Sequence, residues 1–319
     1  MNTSNPLISI GITCFNAELT IKRAIQSALD QTWQNKEIVI VDDCSTDSSI
    51  VIIEKFVERF ERVRLYQNKK NSGVAASRNN IIKHADGKYI AFFDDDDISE
   101  INRIEFQYHR IEDYQNKWKV NKPIICHTSR LVVYIDGTSA IEETIGCNLH
   151  NISPNGEDVA SRILLGTPLK DGLGSMATCS QMGSKKTYLS VGGFDESFRR
   201  QEDTDLNIRL AFVGCHFIGI NKPLVTQYLT ATEDKNILIE QESTMNCIVK
   251  HRAYIEKNSK YSFITSWIKL KFLFYRKEYF ALLLHFIILF IKYPIFSSRR
   301  LLASFPNFKK NQKYFSDNR

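Results

Sequence analysis

No apolar run in this sequence of 319 residues is long enough to cross a bilayer. The most apolar stretch, Phe280 to Ile291, falls short of the ~20 residues that a spanning helix needs. The opening residues carry no targeting signal either: Met1 to Pro6 is polar, and Leu7 to Ile12 is too short for the apolar core of a secretory leader. No C-x-x-C pair occurs among the seven scattered cysteines, which argues against a zinc site or a disulfide framework and points to a reducing cytosol. His127, His150 and His216 show no metal-ligand spacing. Internal repeats and low-complexity linkers are missing as well, so the chain reads as one large folded unit with an appendage.

What is present is a hydrophobic content of 43%, ample for a core, and a net charge of +6 that is unevenly placed. From Tyr261 to Arg319, eleven Lys/Arg stand against Glu278 and Asp317; this segment carries +9 and leaves −3 for the rest. The basic character belongs to the tail.

The first hundred residues alternate between apolar runs and helical periodicity. Leu7–Ile12, Glu37–Val41 and Val63–Tyr66 read as strands. Leu19–Gln31 and Asp47–Phe60 read as helices, the second capped by Ser45 or Thr46. Such alternation indicates βαβ units and a mostly parallel sheet, in which ligands bind beyond the carboxyl ends of the strands. Thr13, Asp43 and the run Asp94 to Asp97 all fall at such ends and are expected to line one crevice. Further on, helices are expected over Ile101–Trp118, near Val159–Leu165 and over Glu202–Val213, with a strand over Pro123–Ile135.

Four consecutive aspartates behind the apolar Tyr89–Phe93 repel one another unless cations or hydrogen-bond donors offset them. A divalent ion is the simplest compensator, and hard oxygen ligands favour Mg²⁺ or Mn²⁺ shared with a substrate's phosphates. A solvated acidic turn is the bland reading of the same run.

Several segments in order resemble the family 2 glycosyltransferases, inverting enzymes with a GT-A (Rossmann-like) fold. They are Ser9–Asn16, Ile38–Asp47, Gly73–Asn79, Gly87–Asp97, Gly192–Glu196, and Glu202-Asp203 with Leu206 and Arg209-Leu210 behind. The resemblance implies an α/β fold with a mostly parallel sheet flanked by helices: a catalytic domain over residues 1–226 (nucleotide-sugar half about 1–100, acceptor half about 101–226) and a helical extension over 227–319. It places Thr13, Phe15, Glu18, Asp43, Arg78, Asp94 and Asp95 around a nucleotide-sugar donor, with Phe15 stacking on the base and Asp43 accepting from a ring N–H. In the D-x-D pattern, Asp96 is implied as the direct Mn²⁺ or Mg²⁺ ligand with Asp94 beside it, although four identical residues allow the register to slip to Asp95 or Asp97. Asp203 is implied as general base and Glu202 as its positioning partner, with Asp205 a competitor in the same turn.

The implied reaction is metal-dependent, inverting, non-processive sugar transfer, most simply from a UDP-sugar to a lipid-linked or growing surface glycan. The processive members' Gln-x-x-Arg-Trp motif does not occur here. Two rivals stand beside it. A nucleotidyltransferase would show a Gly-rich, Lys/Arg-bearing phosphate loop where Thr13-Cys14-Phe15-Asn16 stands; the other is a non-catalytic nucleotide-sugar-binding or membrane-scaffold protein. In the tail, basic and aromatic residues around the apolar run suggest an anchor for residues 261–319 on anionic lipid, hence a cytoplasmic protein peripheral on the inner membrane face. Packing on the catalytic domain or a homodimer interface is the alternative use of the tail; no motif supports nucleic-acid binding.

Overall fold

The computed structural model describes residues 5–169, 174–229 and 236–304. Nine strands form one sheet: β1 (Ile8–Cys14), β2 (Lys36–Asp42), β3 (Val63–Gln67), β4 (Tyr89–Asp94), β5 (Ile98–Ser99), β6 (Ile124–Val133), β7 (Ser139–Glu142), β8 (Met182–Ser184) and β9 (His216–Tyr228). Their spatial order is β3-β2-β1-β4-β8-β6-β9-β5, with β7 paired to β6. The β3-β2-β1-β4 block is parallel, as is β6 with β9; the short strands β5, β7 and β8 pair antiparallel. The architecture is α/β.

Between the strands lie α1 (Ile21–Leu29), α2 (Ser49–Arg59), α3 (Val74–His84), α4 (Arg103–Trp118), α5 (Gly156–Leu165), α6 (Lys185–Leu189) and α7 (Glu202–Phe212). After β9 come α8 (Ile237–Lys250), α9 (Arg252–Asn258), α10 (Tyr261–Tyr275), α11 (Tyr279–Lys292) and α12 (Pro294–Ser304).

The near-continuous apolar runs of β1, β2 and β4 are needed because both sheet faces are covered. Ile8, Ile10, Ile12, Ile38, Ile40, Ala91 and Phe93 pack with α1, α2 and α4 on one side. Val39, Val41, Ile90 and Phe92 alternate to the other side, against α3, α5 and α7. The parallel register pairs Thr13 with Asp94 and Cys14 with Asp42, which brings the polar ends of three strands level.

The cap of α2 departs from expectation. Ser48 occupies the N-cap, and Asp47 Oδ1 accepts from Ser49 N at 2.9 Å. Ser45 and Thr46 instead tie back to Asn16: Ser45 Oγ accepts from Asn16 N, and Thr46 N donates to Asn16 Oδ1. These two residues cross-link two site loops, a contact between distant segments that local sequence does not reveal.

The helices beyond β9 build a third core. Phe263, Ile264, Trp267, Ile268 and Phe272 of α10 pack with Leu164 of α5 and Ile208 of α7. Among the described residues, no helix is long and apolar enough to cross a membrane.

Candidate active site

Three polar loops meet at the ends of β1, β2 and β4. The Phe15 backbone N–H donates to Asp95 Oδ2 at 2.9 Å, while the Phe15 ring stays 44% exposed. Glu18 and Asp47 interlock the first two loops: Glu18 N donates to Asp47 Oδ2, and Ser48 N donates to Glu18 Oε2, each at 3.0 Å. Thr13 sits half-buried at the floor between them. Left-handed backbone at Asn16, Cys44 and Gln201, rare for residues with a side chain, falls in these loops and just ahead of Glu202.

Asp43 is buried and already serves as an acceptor within the protein. Its Oδ1 takes Asn68 Nδ2 (2.7 Å) and Ser72 N (2.9 Å), and its Oδ2 takes Gly73 N (2.7 Å). The carboxylate thereby fixes the loop leading into α3, the helix that delivers Arg78.

Arg78 is the centre of the site. Its guanidinium is buried, with Nη1 2.7 Å from Glu202 Oε1 and Nη2 3.4 Å from Asp94 Oδ1, and it lies over the Phe194 ring at 5.4 Å. One cation thus joins the acidic run to the Glu202-Asp203 pair. Next to it, Asn79 Nδ2 donates to Phe194 O (2.9 Å) and Glu196 Oε1 (2.8 Å), and Phe194 N donates to Asn79 Oδ1 (2.8 Å). That latch holds the Gly192–Glu196 turn, where Gly193 has φ +72° and a Cβ would come within 2.5 Å of Asn79 Oδ1.

The acidic run is compensated more by arginine than the sequence suggests. Arg103 is fully buried, donates to Phe92 O (2.9 Å), Ser99 Oγ (2.8 Å) and Gln107 Oε1 (3.1 Å), and lies over Phe93 at 4.4 Å. Arg23 donates to the Asp96 carbonyl, and buried Arg130 lowers the cost of charge on Asp97. A charged residue inside an apolar strand, as Arg130 is, was the available sequence signal. The offset is incomplete: burial and the charge of Asp96, with a smaller part from Asp94, push Asp95 up to about 8. Burial and the neighbouring Asp94 and Asp96 also raise Asp97 well above the ordinary carboxylate range.

Asp97 Oδ1 accepts from Tyr228 N at 3.2 Å, whereas its buried Oδ2 has no hydrogen-bond partner among the described residues. Ligand atoms of Asp94, Asp97 and Cys179 lie within 4.8 Å of one another. Burial holds the Cys179 thiol protonated, so the hard donors of this group are the two carboxylates. An orphaned buried oxygen beside a second carboxylate fits a divalent cation. Asp96, the ligand implied by the resemblance, lies in the same turn but outside this three-residue group.

At the start of α7, Asp203 Oδ1 accepts from Thr204 N (2.6 Å) and Thr204 Oγ1 (3.3 Å). Glu202 is buried; burial and the adjacent Asp203, only partly offset by Arg78, push it up to about 7. Asp205, the other acid of this turn, is committed to structural partners. It is fully buried and holds Arg209 Nε (2.7 Å), Lys250 Nζ (2.7 Å) and His251 Nε2 (2.9 Å), which tie α7 to α8. Burial alone would raise its pKa, but these three partners lower it.

The expected histidines are structural: His127 Nε2 lies 3.1 Å from Gln181 Nε2, and His216 Nδ1 lies 2.9 Å from Tyr114 Oη. Of the segment 172–176, which the sequence leaves without an assigned role, Gly172 and Leu173 lie outside the described residues; Ser175 accepts from Arg130 Nη2 at 2.7 Å.

Comparisons with known proteins bear on the fold and the family. Residues 9–118 match the model of the family "Glycosyl transferase family 2". An uncharacterized glycosyltransferase of Haemophilus influenzae is 42% identical over 102 residues, 32% of this chain and 41% of that protein. The Escherichia coli UDP-Glc:alpha-D-GlcNAc-diphosphoundecaprenol beta-1,3-glucosyltransferase WfgD is 40% identical over 101 residues, 32% of this chain and 39% of that protein. The matches therefore span about two-fifths of the length of these relatives. Among solved structures, S. aureus TarS 1-349 in complex with UDP superposes with a TM-score of 0.58 at 17% identity, covering 83% of this chain and 71% of that one. The same protein in complex with UDP-GlcNAc gives 0.57 at 15%, covering 96% and 92%. The fold is GT-A, and residues 9–118 are similar to the family 2 glycosyltransferases.

Proposed function

We propose that this chain is a metal-dependent, inverting, non-processive glycosyltransferase that moves a sugar from a UDP-sugar to a lipid-linked or growing surface glycan. The observation that carries this reading is Arg78, which holds Asp94 of the donor half and Glu202 of the acceptor half on one guanidinium. The UDP donor and lipid-linked acceptor are supported by the names of WfgD and of the TarS complexes. A nucleotidyltransferase is disfavoured by the loop after β1, where no Gly-rich, Lys/Arg-bearing segment stands.

In this reading Phe15 and Thr13 receive the nucleoside, and Asp43 shapes the loop around it. Asp94 and Asp96 are the ligands for Mn²⁺ or Mg²⁺, with Asp97 the further oxygen donor that geometry adds. Such an ion, when bound, stabilises the charge that develops on the departing diphosphate. Thr204 engages Asp203 Oδ1, which makes Oδ2 the oxygen to take the acceptor hydroxyl's proton. The acceptor oxygen then attacks the anomeric carbon opposite the leaving group, the bond to the diphosphate oxygen breaks, and configuration inverts. Glu202, pinned by Arg78, positions the turn. The site faces the cytoplasm at the inner membrane surface, reached through the exposed apolar side of α11, where Phe280 is 84% and Ile291 77% exposed.

The test is a thermal-shift screen of UDP-, GDP-, dTDP- and CMP-sugars with and without Mn²⁺, followed by transfer assays of Asp203→Asn. A UDP-sugar should raise Tm, more so with Mn²⁺. Asp203→Asn should keep that shift while losing ~10²–10⁴ in kcat. No shift with any donor removes the donor-site reading, and undiminished transfer by Asp203→Asn removes the base.

A further inference from the structure

A second concavity lies apart from the donor crevice, between α5, α7, α8, α10, α11 and α12. Its volume is about 880 Å³, within the range of small-molecule sites. Most of its wall is apolar: Ile163, Ile208, Trp267, Phe274, Leu282 and Phe286 all line it. A water-filled apolar cavity of this size is unfavourable, since its wall forgoes the contacts that close packing would supply.

Two parts of its lining stand out. Gln201 and Thr204 flank Glu202 and Asp203, and Thr204 is the residue whose N–H and hydroxyl bind Asp203 Oδ1. Tyr279, Leu283 and Leu301 line the cavity and are still 56%, 59% and 41% exposed, so a mouth opens there. That mouth borders the outward apolar face of α11, where Phe280, Leu284, Ile287 and Ile291 are uncovered.

The wall also carries a concentration of one sign of charge. Arg162, Lys271 and Arg300 all border the cavity. Arg300 donates to Leu165 O at the C-terminus of α5, and its guanidinium lies so close over Gly166 that a Cβ there would overlap it. The carboxylate whose charge bears on Lys271 is Glu240, which is itself engaged by Arg200 at 3.1 Å and by Gln201. Burial together with Arg162 pushes Arg300 down to about 10, whereas Lys271 lines the wall with its side chain still open to solvent. Three cations bordering one mostly apolar cavity suit a polyanionic ligand with an apolar part.

We infer that this cavity receives the diphosphate and adjoining hydrocarbon of a lipid-linked acceptor, entering past α11 and presenting its sugar hydroxyl toward Asp203. The inference rests on the glycosyltransferase reading and adds the acceptor's route. Apolar lining takes the lipid, Lys271 and Arg162 face the diphosphate, and Thr204 joins the cavity to the base. A membrane phospholipid would share the phosphate and the hydrocarbon but carries less negative charge.

The test titrates full-length protein with farnesyl diphosphate, following fluorescence of Trp267 in the cavity wall, with the donor site filled by saturating UDP and Mn²⁺. Farnesyl diphosphate should bind saturably and at least ten-fold more tightly than farnesol, inorganic diphosphate or dihexanoyl phosphatidylglycerol. Lys271→Met should weaken it at least five-fold, and Leu282→Trp, which fills the cavity, should do the same; neither should change the UDP thermal shift. Farnesol or the phospholipid binding as tightly would overturn the diphosphate assignment, and inorganic diphosphate binding as tightly would overturn the lipid assignment. If Leu282→Trp does not fold, wild-type affinity in Lys271→Met overturns the site by itself. Protein that binds UDP but not farnesyl diphosphate loses this inference alone; protein that binds neither loses the glycosyltransferase reading too.

Discussion

Arg78 Nη1 lies 2.7 Å from Glu202 Oε1 across 124 positions of sequence, and this one contact joins the helix after the donor loop to the helix that carries the proposed base. Both groups are nearly out of water, so neither charge has an alternative partner of comparable strength in solvent. Removing one partner of a buried pair usually costs about 3–5 kcal/mol, because the other charge is left uncompensated. Arg78→Ala should therefore lower the urea midpoint strongly and abolish transfer. Arg78→Lys, which keeps the charge but not the fork reaching both carboxylates, should fall between. A stability of Arg78→Ala equal to wild type would show that the pair contributes nothing.

The register of the four aspartates is open to single substitutions. With Asp96 as the ion's direct ligand, Asp96→Asn should erase the Mn²⁺-dependent part of the UDP thermal shift, while Asp97→Asn should weaken it only several-fold. If Asp97→Asn alone erases it, the ion instead sits between Asp94 and Asp97, where ligand oxygens already converge. Chelation of wild type with EDTA should reproduce the stronger phenotype.

Glu202 gives a pH signature. Its folded-state pKa is raised to about 7 by burial and by Asp203, with Arg78 opposing. A raised carboxyl pKa means that the folded state binds the extra proton, so this contribution to stability is present below the unfolded value of ~4.3 and is lost as pH climbs through 7. Glu202→Gln has no such titration. The difference in Tm, variant minus wild type, should accordingly rise between pH 4.5 and 7.5; a flat difference would contradict the burial of an ionisable Glu202.

The C-terminal helices have two roles that one experiment separates. Truncation after Lys260 would strip Phe263, Ile264, Trp267 and Phe272 from the third core, at roughly 1.5–3 kcal/mol for each buried side chain, a loss comparable with a domain's whole stability. Phe280→Glu with Ile291→Glu changes only exposed positions. This double variant should keep Tm within about 1 °C and lose co-sedimentation with anionic vesicles. Unchanged sedimentation would remove the membrane-facing assignment of α11.

The donor half was legible because its strands are buried on both faces and so read as unbroken apolar runs, each closing on a polar cluster: Thr13, Asp43, Asp94. Legibility ended where contacts are purely tertiary. Strands β5 and β8 are two and three residues long, too short for any periodicity to register. Asp203 and Asp205 share one helical turn and look alike in sequence; besides Arg209 on the same helix, Lys250 and His251 at the end of α8 engage Asp205, and the sequence does not show that they reach it. Nor did the sequence show that arginines already surround the acidic run, since Arg103 and Arg130 reach it through folding. The basic-aromatic tail offers the sequence two uses, an anchor or a helix packed on the catalytic domain, and folding divides it between helices: Phe263 and Phe272 of α10 pack inward, Arg300 seats on α5, and the outer side of α11 stays exposed.

The clasp of Lys250 and His251 on Asp205 bears on how such chains are recombined. A crossover near residue 227 would graft foreign helices onto an α7 whose buried acid is built for those two partners, leaving it with Arg209 alone. Chimaeras that exchange acceptor preference between relatives should therefore move α7 together with everything after it, with the junction ahead of Glu202.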